Sequence, residues 1–375
     1  MKIVFAVKNY LPNKDGVTNV TRYLAEGLAA YHEVSVITAL EEDWKSEENI
    51  NGVSIYRLNI DERSSKKCYL NKIRELDADC FICVCTQTWC FDWLLGNLNY
   101  IKGSKILYTH GFSGLYSYPE ELKNGFIGVL KAIKYRIVWE LYYRKYSELI
   151  GEFDICTHLS VSNKSIHYVN KLGIGNNVVI GNAIEPLFFE DPVCEKNDFD
   201  DKKIRYIYVS AFSEMKNQKA LLRAFSKMQI QDAELVLVGT EKNSYFYELR
   251  EMEKRLGLSG KVKYEIGLSR EEISRVMSEC DICVITSTRE AYSIALLEAC
   301  GKGLPIISTN VGNAHLIPGV IVVNEMEELP YMMDRIGESY ALRKKMGELS
   351  RKYALDNAQI SDKVNELANI IAKIT

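Results

Sequence analysis

The chain has 375 residues, of which 47% are hydrophobic and 26% charged, and its formal net charge is -3. This composition is that of a globular protein and excludes collagen, simple fibres and a largely disordered chain. Because neither half of the chain is a polycation, a dedicated nucleic-acid-binding protein is also disfavoured. At ordinary domain sizes the length predicts two domains.

We expect neither an export signal nor a membrane-spanning segment in this sequence. No apolar run reaches the roughly 18 residues that cross a bilayer, and Met1–Lys8 has the pattern of a short strand rather than a signal peptide. Most of the ten cysteines lie in apolar, strand-like segments, which favours reduced buried thiols over a disulfide framework. We therefore expect a cytoplasmic protein.

Short apolar runs rich in Val, Ile and aromatic residues predict strands along the whole chain. In chain order they are Lys2–Val7, Glu33–Thr38, Val53–Arg57, Asp79–Cys85, Lys105–Thr109, Ile155–Val161, Arg205–Ser210, Glu234–Val238, Val262–Ile266, Asp281–Ile285 and Pro305–Ser308. Helical patterns separate several of them, as at Val20, Leu24 and Leu28. Strands interleaved with helices predict parallel sheets covered on both faces, so the expected fold class is α/β with two doubly wound domains.

The joint between the two series of strands is expected near Asn182–Pro192, ahead of the polar stretch Cys194–Lys203. We predict an N-terminal domain over residues 1–184 and a C-terminal domain over residues 185–357. The last segment, Ala358–Lys373, carries its apolar residues on one stripe and predicts an amphipathic helix.

The most informative segment follows the predicted strand Asp281–Ile285. Ser293 is a good N-cap residue for a helix, and the amides of Ser293 and Ile294 are expected to face the strand-end edge as an anion site. Glu290 lies in the preceding turn and Glu298 two turns into the helix. Two acids at this spacing could hold hydroxyl groups on either side of a bound phosphate. Neither a dinucleotide-binding G-x-G-x-x-G after the first strand nor a P-loop is present.

The Glu290-x7-Glu298 spacing, followed by Gly303–Thr309, resembles the retaining GT-B glycosyltransferases of family 4. Weaker similarities follow the order of that family along nearly the whole chain. They are a glycine loop at Pro12–Val17, a helix and strand within Leu24–Thr38, a histidine loop at Thr109–Gly111, the segment Val178–Ile184 and a lysine loop at Glu214–Asn217.

The resemblance implies a GT-B fold, in which two Rossmann-like doubly wound domains face a central cleft and a helix within residues 358–375 returns to the first domain. It also implies a retaining hexosyltransferase of the EC 2.4 class. The implied partners are a nucleotide-sugar donor, expected to be UDP-linked, and a carbohydrate or lipid-linked saccharide acceptor. Bacterial surface polysaccharide biosynthesis is the implied setting.

By the same resemblance, three residues are catalytic. Lys216 would neutralise the pyrophosphate, Glu290 would hold the donor sugar and phosphate, and His110 would contact the sugar near the reacting carbon. Because a lysine and a helix N-terminus can stabilise a departing pyrophosphate, we expect no metal ion and no other cofactor.

Four further residues are expected to bind the donor. Ser293 and Ile294 would offer backbone amides, and Glu298 would accept hydrogen bonds from the ribose hydroxyls. Gly16 would let the backbone approach the donor phosphate without an intervening side chain.

One departure from the family pattern leaves other functions open. Ala211 stands where the family carries an arginine, so one phosphate contact is missing or is supplied by Arg289 or Lys203. The alternatives are a catalytically weak glycosyltransferase-like accessory subunit and another GT-B enzyme such as a sugar-nucleotide epimerase.

Residues 123–146 combine six basic residues with a single acid, Glu140, and six interleaved aromatic residues. One interpretation is an amphipathic helix lying on an anionic membrane surface, which would place the protein at the inner face of the cell membrane. The other is a helix packed on its own domain with a basic outer face.

Overall fold

A computed structural model describes residues 1–13, 15–112, 125–195 and 203–375, without the side chains of residues 125–127, 164 and 195. The chain forms two compact units. The first contains Met1–Asn182 together with Ile360–Thr375, and the second contains Ala183–Gln359. The chain therefore returns to its first unit after completing the second.

Each unit is built on one sheet. The strands of the first unit are β1 (Lys2–Ala6), β2 (Glu33–Ala39), β3 (Glu47–Ile50), β4 (Val53–Leu58), β5 (Cys80–Val84), β6 (Ser104–Tyr108), β7 (Ile155–His158) and β8 (Asn177–Val179). Those of the second are β9 (Ile204–Val209), β10 (Ala233–Gly239), β11 (Val262–Ile266), β12 (Ile282–Ile285), β13 (Ile306–Thr309) and β14 (Val320–Val323).

Helices connect most of these strands. In the first unit they are α1 (Gly16–Ala29), α2 (Ser65–Leu76), α3 (Trp89–Asp92), α4 (Gly125–Lys145), α5 (Ser147–Gly151) and α6 (Lys164–Lys171). In the second they are α7 (Gln218–Phe225), α8 (Ser244–Arg255), α9 (Arg270–Ser278), α10 (Ile294–Gly301), α11 (Leu329–Glu338) and α12 (Tyr340–Asn357). The last helix, α13 (Ile360–Ile374), lies in the first unit.

The strand order of each sheet reverses next to its first strand. The first sheet has the order β3-β4-β2-β1-β5-β6-β7-β8, and the second has the order β11-β10-β9-β12-β13-β14. All neighbours are parallel except the β3–β4 pair. Ligands of such sheets bind beyond the carboxyl ends of the strands where the order reverses. The two reversal points are β1/β5 and β9/β12.

The apolar stripe of α13 packs on α1. Val364, Leu367 and Ile371 are buried. A Cβ placed on Gly27 would lie 2.5 Å from Cγ2 of Val364, so only glycine at this position allows the two helices to approach this closely. At its end, the carbonyl of Ile374 accepts a hydrogen bond from Ser104 Oγ at 2.5 Å. These contacts explain why the chain terminus belongs to the first unit.

The strands predicted from the sequence agree with the structure where helices cover both faces of the sheet. Every residue of β5 and of β12 is buried, as parallel strands between two helical layers require. β3, β8 and β14 were not anticipated, although the apolar run of β14 does indicate a strand. β3 alternates exposed and half-buried residues, and no residue of β8 is buried, so neither shows an apolar run.

Within the described ranges, no helix has both the length and the hydropathy needed to cross a bilayer.

Candidate functional site

In the second unit, the loop after β9 is fastened to the loop after β12 at the reversal point. Thr286 Oγ1 donates to the carbonyls of Lys216 and Asn217, at 3.2 and 3.1 Å. The hydroxyl of buried Tyr208 donates to the carbonyl of Lys216 at 3.1 Å. Asn217 has φ +54° and caps α7. The loop backbone is thus held where the side chain of Lys216 projects beyond the sheet edge.

The ammonium group of Lys216 forms an ion pair with Glu290, 74 residues further along the chain. Glu290 Oε1 also accepts from Ser287 Oγ at 2.7 Å, and that hydroxyl lies 2.7 Å from the hydroxyl of Tyr208. The two charged side chains are 20% and 12% exposed. An anionic ligand can therefore reach the lysine and compete with Glu290 for it.

The N-terminus of α10 lies beside this ion pair in the sequence. Ser293 is its N-cap, and its Oγ accepts from the amide of Leu296 at 3.3 Å. The Ser293 amide, which we expected to be free, donates to Oδ1 of buried Asn313 at 3.1 Å. That expectation was wrong because the loop after β13 supplies an acceptor. The amides of Ile294 and Ala295 have no acceptor within the helix itself, so they are the donors of this turn that an anion can use.

A second ion pair lies around Glu298, which is buried in α10. Its partner is Arg270, the first residue of α9, whose Nε donates to Glu185 at 2.7 Å. The guanidinium carbon lies 4.6 Å from the centre of the Phe188 ring. Burial raises the pKa of Glu298, and the neighbouring Arg270 opposes that rise. Arg270 is therefore what keeps a buried carboxylate available as an acceptor.

In the first unit, Gly16 and His110 follow strands at or beside the β1/β5 reversal point. Gly16 is the first residue of α1, after the N-cap Asp15, which accepts from the amide of Thr18 at 2.9 Å. His110 directly follows Thr109, whose Oγ1 donates to the carbonyl of Thr157 at 2.5 Å. The expectation for the glycine loop includes Lys14, which lies outside the described residues.

The imidazole of His110 is held in an uncharged state. Burial lowers its pKa to about 4, and nearby Asp15 only partly opposes the shift. Its ring centre lies 5.4 Å from that of Tyr108. Its Nε2 is buried without a hydrogen-bond partner among the described residues. A buried polar atom without a partner is costly, so this nitrogen is positioned to accept or donate a hydrogen bond to a ligand.

The loop after β5 completes this edge of the first sheet. Cys85 and Gln87 have φ values of +66° and +59°, a conformation that costs energy for residues other than glycine. Two tyrosines of α4 hold it: the Gln87 amide donates to Tyr142 at 2.8 Å, and Gln87 Nε2 donates to Tyr143 at 3.0 Å. Strain maintained by side-chain hydrogen bonds beside a strand end is typical of a binding site.

Within the described residues, no group of three or more His, Cys, Asp or Glu side chains could hold a metal ion.

Comparison with known proteins relates the second unit to one family and the whole chain to glycosyltransferases. Residues 191–353 match the family described as glycosyl transferases group 1. An uncharacterized glycosyltransferase of Methanocaldococcus jannaschii is 24% identical, over 95% of this chain and 95% of its own length. The lipopolysaccharide glucosyltransferase WaaG of Escherichia coli is 31% identical over 36% of this chain and 37% of its own. A structure of Anabaena HepE in complex with UDP and glucose aligns over 100% of both chains, with TM-score 0.73 and 14% identity.

Residues 191–353 therefore form a domain of the glycosyl transferases group 1 family, and the whole chain is similar to glycosyltransferases. The family expected from the sequence and the GT-B fold class, with its two Rossmann-like α/β domains, are both confirmed. The activity is that of a hexosyltransferase of the EC 2.4 class.

In this glycosyltransferase the expected site residues lie at three separate places. Lys216 and Glu290 meet at the β9/β12 reversal point, with Ile294 opening the helix that follows. Glu298 lies deeper in the same helix and pairs with Arg270 rather than with Lys216. Gly16 and His110 belong to the first unit.

Of the two replacements considered for the missing arginine, Lys203 is wrong. It precedes β9 and lies 3.6 Å from Glu234 at the amino end of β10, whereas the site lies at the carboxyl ends of the strands. A strand of this length separates the two edges by roughly 20 Å. Arg289 remains a candidate for the missing phosphate contact. Its Nη2 lies 3.9 Å from Sδ of Met215, the residue before Lys216.

Arg270 is the residue that sequence reasoning missed, although a signal for it exists. Ser269 and Glu272 form a capping box, so Arg270 places a cation in the first turn of a helix. The helix dipole disfavours a cation there. A basic residue in that position indicates a nearby carboxylate, but the sequence does not reveal which one.

The His110→Gln variant tests the uncharged histidine. Below its ordinary pKa of 6.5 the histidine of the unfolded chain binds a proton that the folded chain accepts only near pH 4. Stability of the wild type should therefore fall as the pH drops from 7 to 5, by about 2 kcal/mol from this residue. His110→Gln should remove that part of the pH dependence, measured by urea unfolding at both pH values.

Exposed His167→Gln is the matched control and should leave the pH dependence unchanged. In the same His110→Gln protein, turnover should fall more than donor affinity. Equal losses of turnover and affinity would contradict a role for His110 at the reacting centre.

Proposed function

We propose that this glycosyltransferase moves a sugar from a UDP-linked donor to a saccharide acceptor, free or lipid-linked, with retention of configuration at the transferred carbon. Bacterial surface polysaccharide biosynthesis is the setting we propose. The observation that carries the proposal is the partly exposed Lys216–Glu290 pair at the β9/β12 reversal point, next to the N-terminus of α10. HepE, whose complex holds UDP and glucose, and WaaG, a lipopolysaccharide glucosyltransferase, support the choice of donor and setting.

The chemistry of the transfer accounts for this arrangement. As the bond between the anomeric carbon and the diphosphate oxygen breaks, negative charge accumulates on the diphosphate. A lysine and backbone amides fixed in advance stabilise such charge, at roughly 3–4 kcal/mol for a well-placed donor. In our proposal Lys216 turns from Glu290 to the diphosphate, and the Ile294 and Ala295 amides contact the same group. These residues would carry the developing charge without a metal ion.

Glu290 and Glu298 would then contact hydroxyl groups of the donor. Once Lys216 binds the phosphate, the Glu290 carboxylate can accept a hydrogen bond from a hydroxyl of the donor sugar. Ser287 still donates to this carboxylate and orients it. Glu298, paired with Arg270, would accept from the ribose hydroxyls. In the first unit, Gly16 would let the backbone approach the donor phosphate, and His110 would contact the transferred sugar through its uncharged ring.

Calorimetry and product analysis test the proposal. Titration of the purified chain with UDP-, GDP- and ADP-sugars should show binding selective for one UDP-sugar. Incubation of that sugar with saccharide acceptors should give a product whose anomeric proton coupling matches the donor. An inverted product would contradict retention. Conversion of the nucleotide sugar to an isomer without any acceptor would identify an epimerase instead. A chain that binds no nucleotide but copurifies with another transferase would be an accessory subunit.

A further inference from the structure

Helix α4 is apolar on two opposite sides. On its inner side Ala132 and Tyr143 are buried, and Trp139 packs edge-on against Tyr142, with ring centres 5.6 Å apart. The aromatic residues that the sequence suggested as membrane contacts therefore pack largely within their own unit. Lys123 and the side chain of Phe126, which belonged to that suggestion, lie outside the described residues and side chains.

The outer side of α4 carries aliphatic residues exposed to solvent. Leu130, Ile133, Ile137 and Leu141 follow one another at spacings of three and four, so they share one face of the helix. We call these four residues the aliphatic stripe. Each is at least half exposed, and Leu141 is 60% exposed. A contiguous exposed apolar surface of this kind marks an interaction site.

Basic residues border the stripe. Lys131, Lys134, Arg136, Arg144 and Lys145 are all exposed. Between residues 128 and 145 the only acid is Glu140, which lies 3.9 Å from Arg136. Five basic residues less one acid leave a net charge of about +4 on the helix. At 100° per residue, Lys134 and Lys145 fall along one border of the stripe and Arg136 beyond the other, while Arg144 continues the line of the stripe itself.

We propose that α4 is the docking surface of this glycosyltransferase for an anionic lipid bilayer. Aliphatic residues would enter the boundary between headgroups and acyl chains, while the bordering lysines and arginines contact the anionic headgroups. The net positive charge of α4 favours an anionic bilayer over a second copy of the chain as the binding partner. Two α4 helices brought together would place their positive charges against one another, whereas an anionic surface complements them.

The inner side of α4 connects this surface to the candidate site of the first unit. Tyr142 and Tyr143 hold the strained loop after β5 through hydrogen bonds to Gln87. Docking of α4 would thus place the strand-end edge of the first sheet near the bilayer. This step rests on the proposed function, since a lipid-linked saccharide acceptor would be presented there.

Vesicle flotation of the full chain tests the proposal. The protein should float with vesicles of phosphatidylcholine and phosphatidylglycerol, less at high salt, and much less with phosphatidylcholine alone. The double variant Ile137→Asp/Leu141→Asp should bind the anionic vesicles at least about tenfold more weakly. Lys134→Gln/Lys145→Gln should weaken the same binding by about tenfold or more.

Matched controls in the same unit are Tyr31→Ser, at a residue 85% exposed, and Lys102→Gln, at a side chain 86% exposed. Both should bind vesicles like the wild type. All variants alter exposed side chains, so their thermal midpoints should match the wild type. Their affinity for the donor should also be unchanged, because none of the altered side chains is among the proposed donor contacts.

Equal flotation on neutral and anionic vesicles, or no loss in the Asp variants, would overturn the docking proposal. So would a concentration-dependent dimer, seen by light scattering, that Leu141→Asp abolishes. Loss of donor binding with intact flotation would instead count against the proposed function, so the two failures are distinguishable.

Discussion

Replacing Lys216 by alanine is expected to lower kcat by about 10²–10³-fold, the usual cost of removing one pre-aligned donor from a developing anion. The proposed function gives this lysine a direct contact with the departing diphosphate. UDP affinity, measured by calorimetry, should fall as well, because the diphosphate is already charged in the ground state. The loss in kcat should exceed the loss in affinity, since charge on the leaving group increases in the transition state.

Lys263→Ala is the matched control. Lys263 also forms an ion pair with a glutamate, Glu265, at 2.7 Å, but it lies within β11 rather than in a strand-end loop. The Lys263→Ala variant should have the kcat and the UDP affinity of the wild type. Wild-type UDP affinity and turnover in Lys216→Ala would exclude this residue from the donor site.

Replacing Arg270 by methionine should destabilise the second unit by about 2–3 kcal/mol at neutral pH. Removing one partner of a buried ion pair leaves an uncompensated charge and costs roughly 3–5 kcal/mol. We expect less here because the arginine side chain is 32% exposed. Urea unfolding measures the difference. Arg275→Met, which changes an exposed residue of the same helix, is the control and should cost little.

The pH dependence of this loss has a defined sign. Burial raises the pKa of Glu298, and Arg270 opposes that rise, so Arg270→Met should raise the pKa further. A carboxyl group with a raised pKa keeps a proton that the unfolded chain has already released. The folded state then loses stability as the pH increases above the unfolded pKa. The destabilisation by Arg270→Met should therefore be larger at pH 8 than at pH 5.

The same variant separates a structural role from a role in donor binding. Weakened UDP affinity at pH 8 that recovers towards pH 5 would contradict the proposal, because protonated Glu298 is then the better ligand. Arg270→Lys keeps the charge but not the two-sided contact with Glu185 and Glu298, and it should restore part of the stability.

The fold could largely be predicted from the sequence because its signals are local. Parallel strands buried on both faces appear as apolar runs, as in β5 and β12. Ser293 caps α10 as expected, and Gly303 follows that helix with φ +66°. The strands without apolar runs, β3 and β8, could not be found in this way.

The candidate site was predictable only in part, since most of its contacts join distant parts of the chain. The spacing of Glu290 and Glu298 suggested one paired function. In the structure the two acids pair with different cations, because Lys216 follows β9 whereas Arg270 follows β11. Likewise, the acceptor for the Ser293 amide comes from Asn313, in the loop after β13.

The sequence by itself determined the alternation of strands and helices, the family and the residue types available for binding a nucleotide sugar, because these depend on composition and near neighbours. Only the tertiary structure decided which charges meet and which side of α4 is covered. That helix is apolar on both sides, so its sequence alone leaves the choice open. The hydrogen bonds of Tyr142 and Tyr143 to Gln87 turn the aromatic side inward, and the aliphatic side therefore faces solvent.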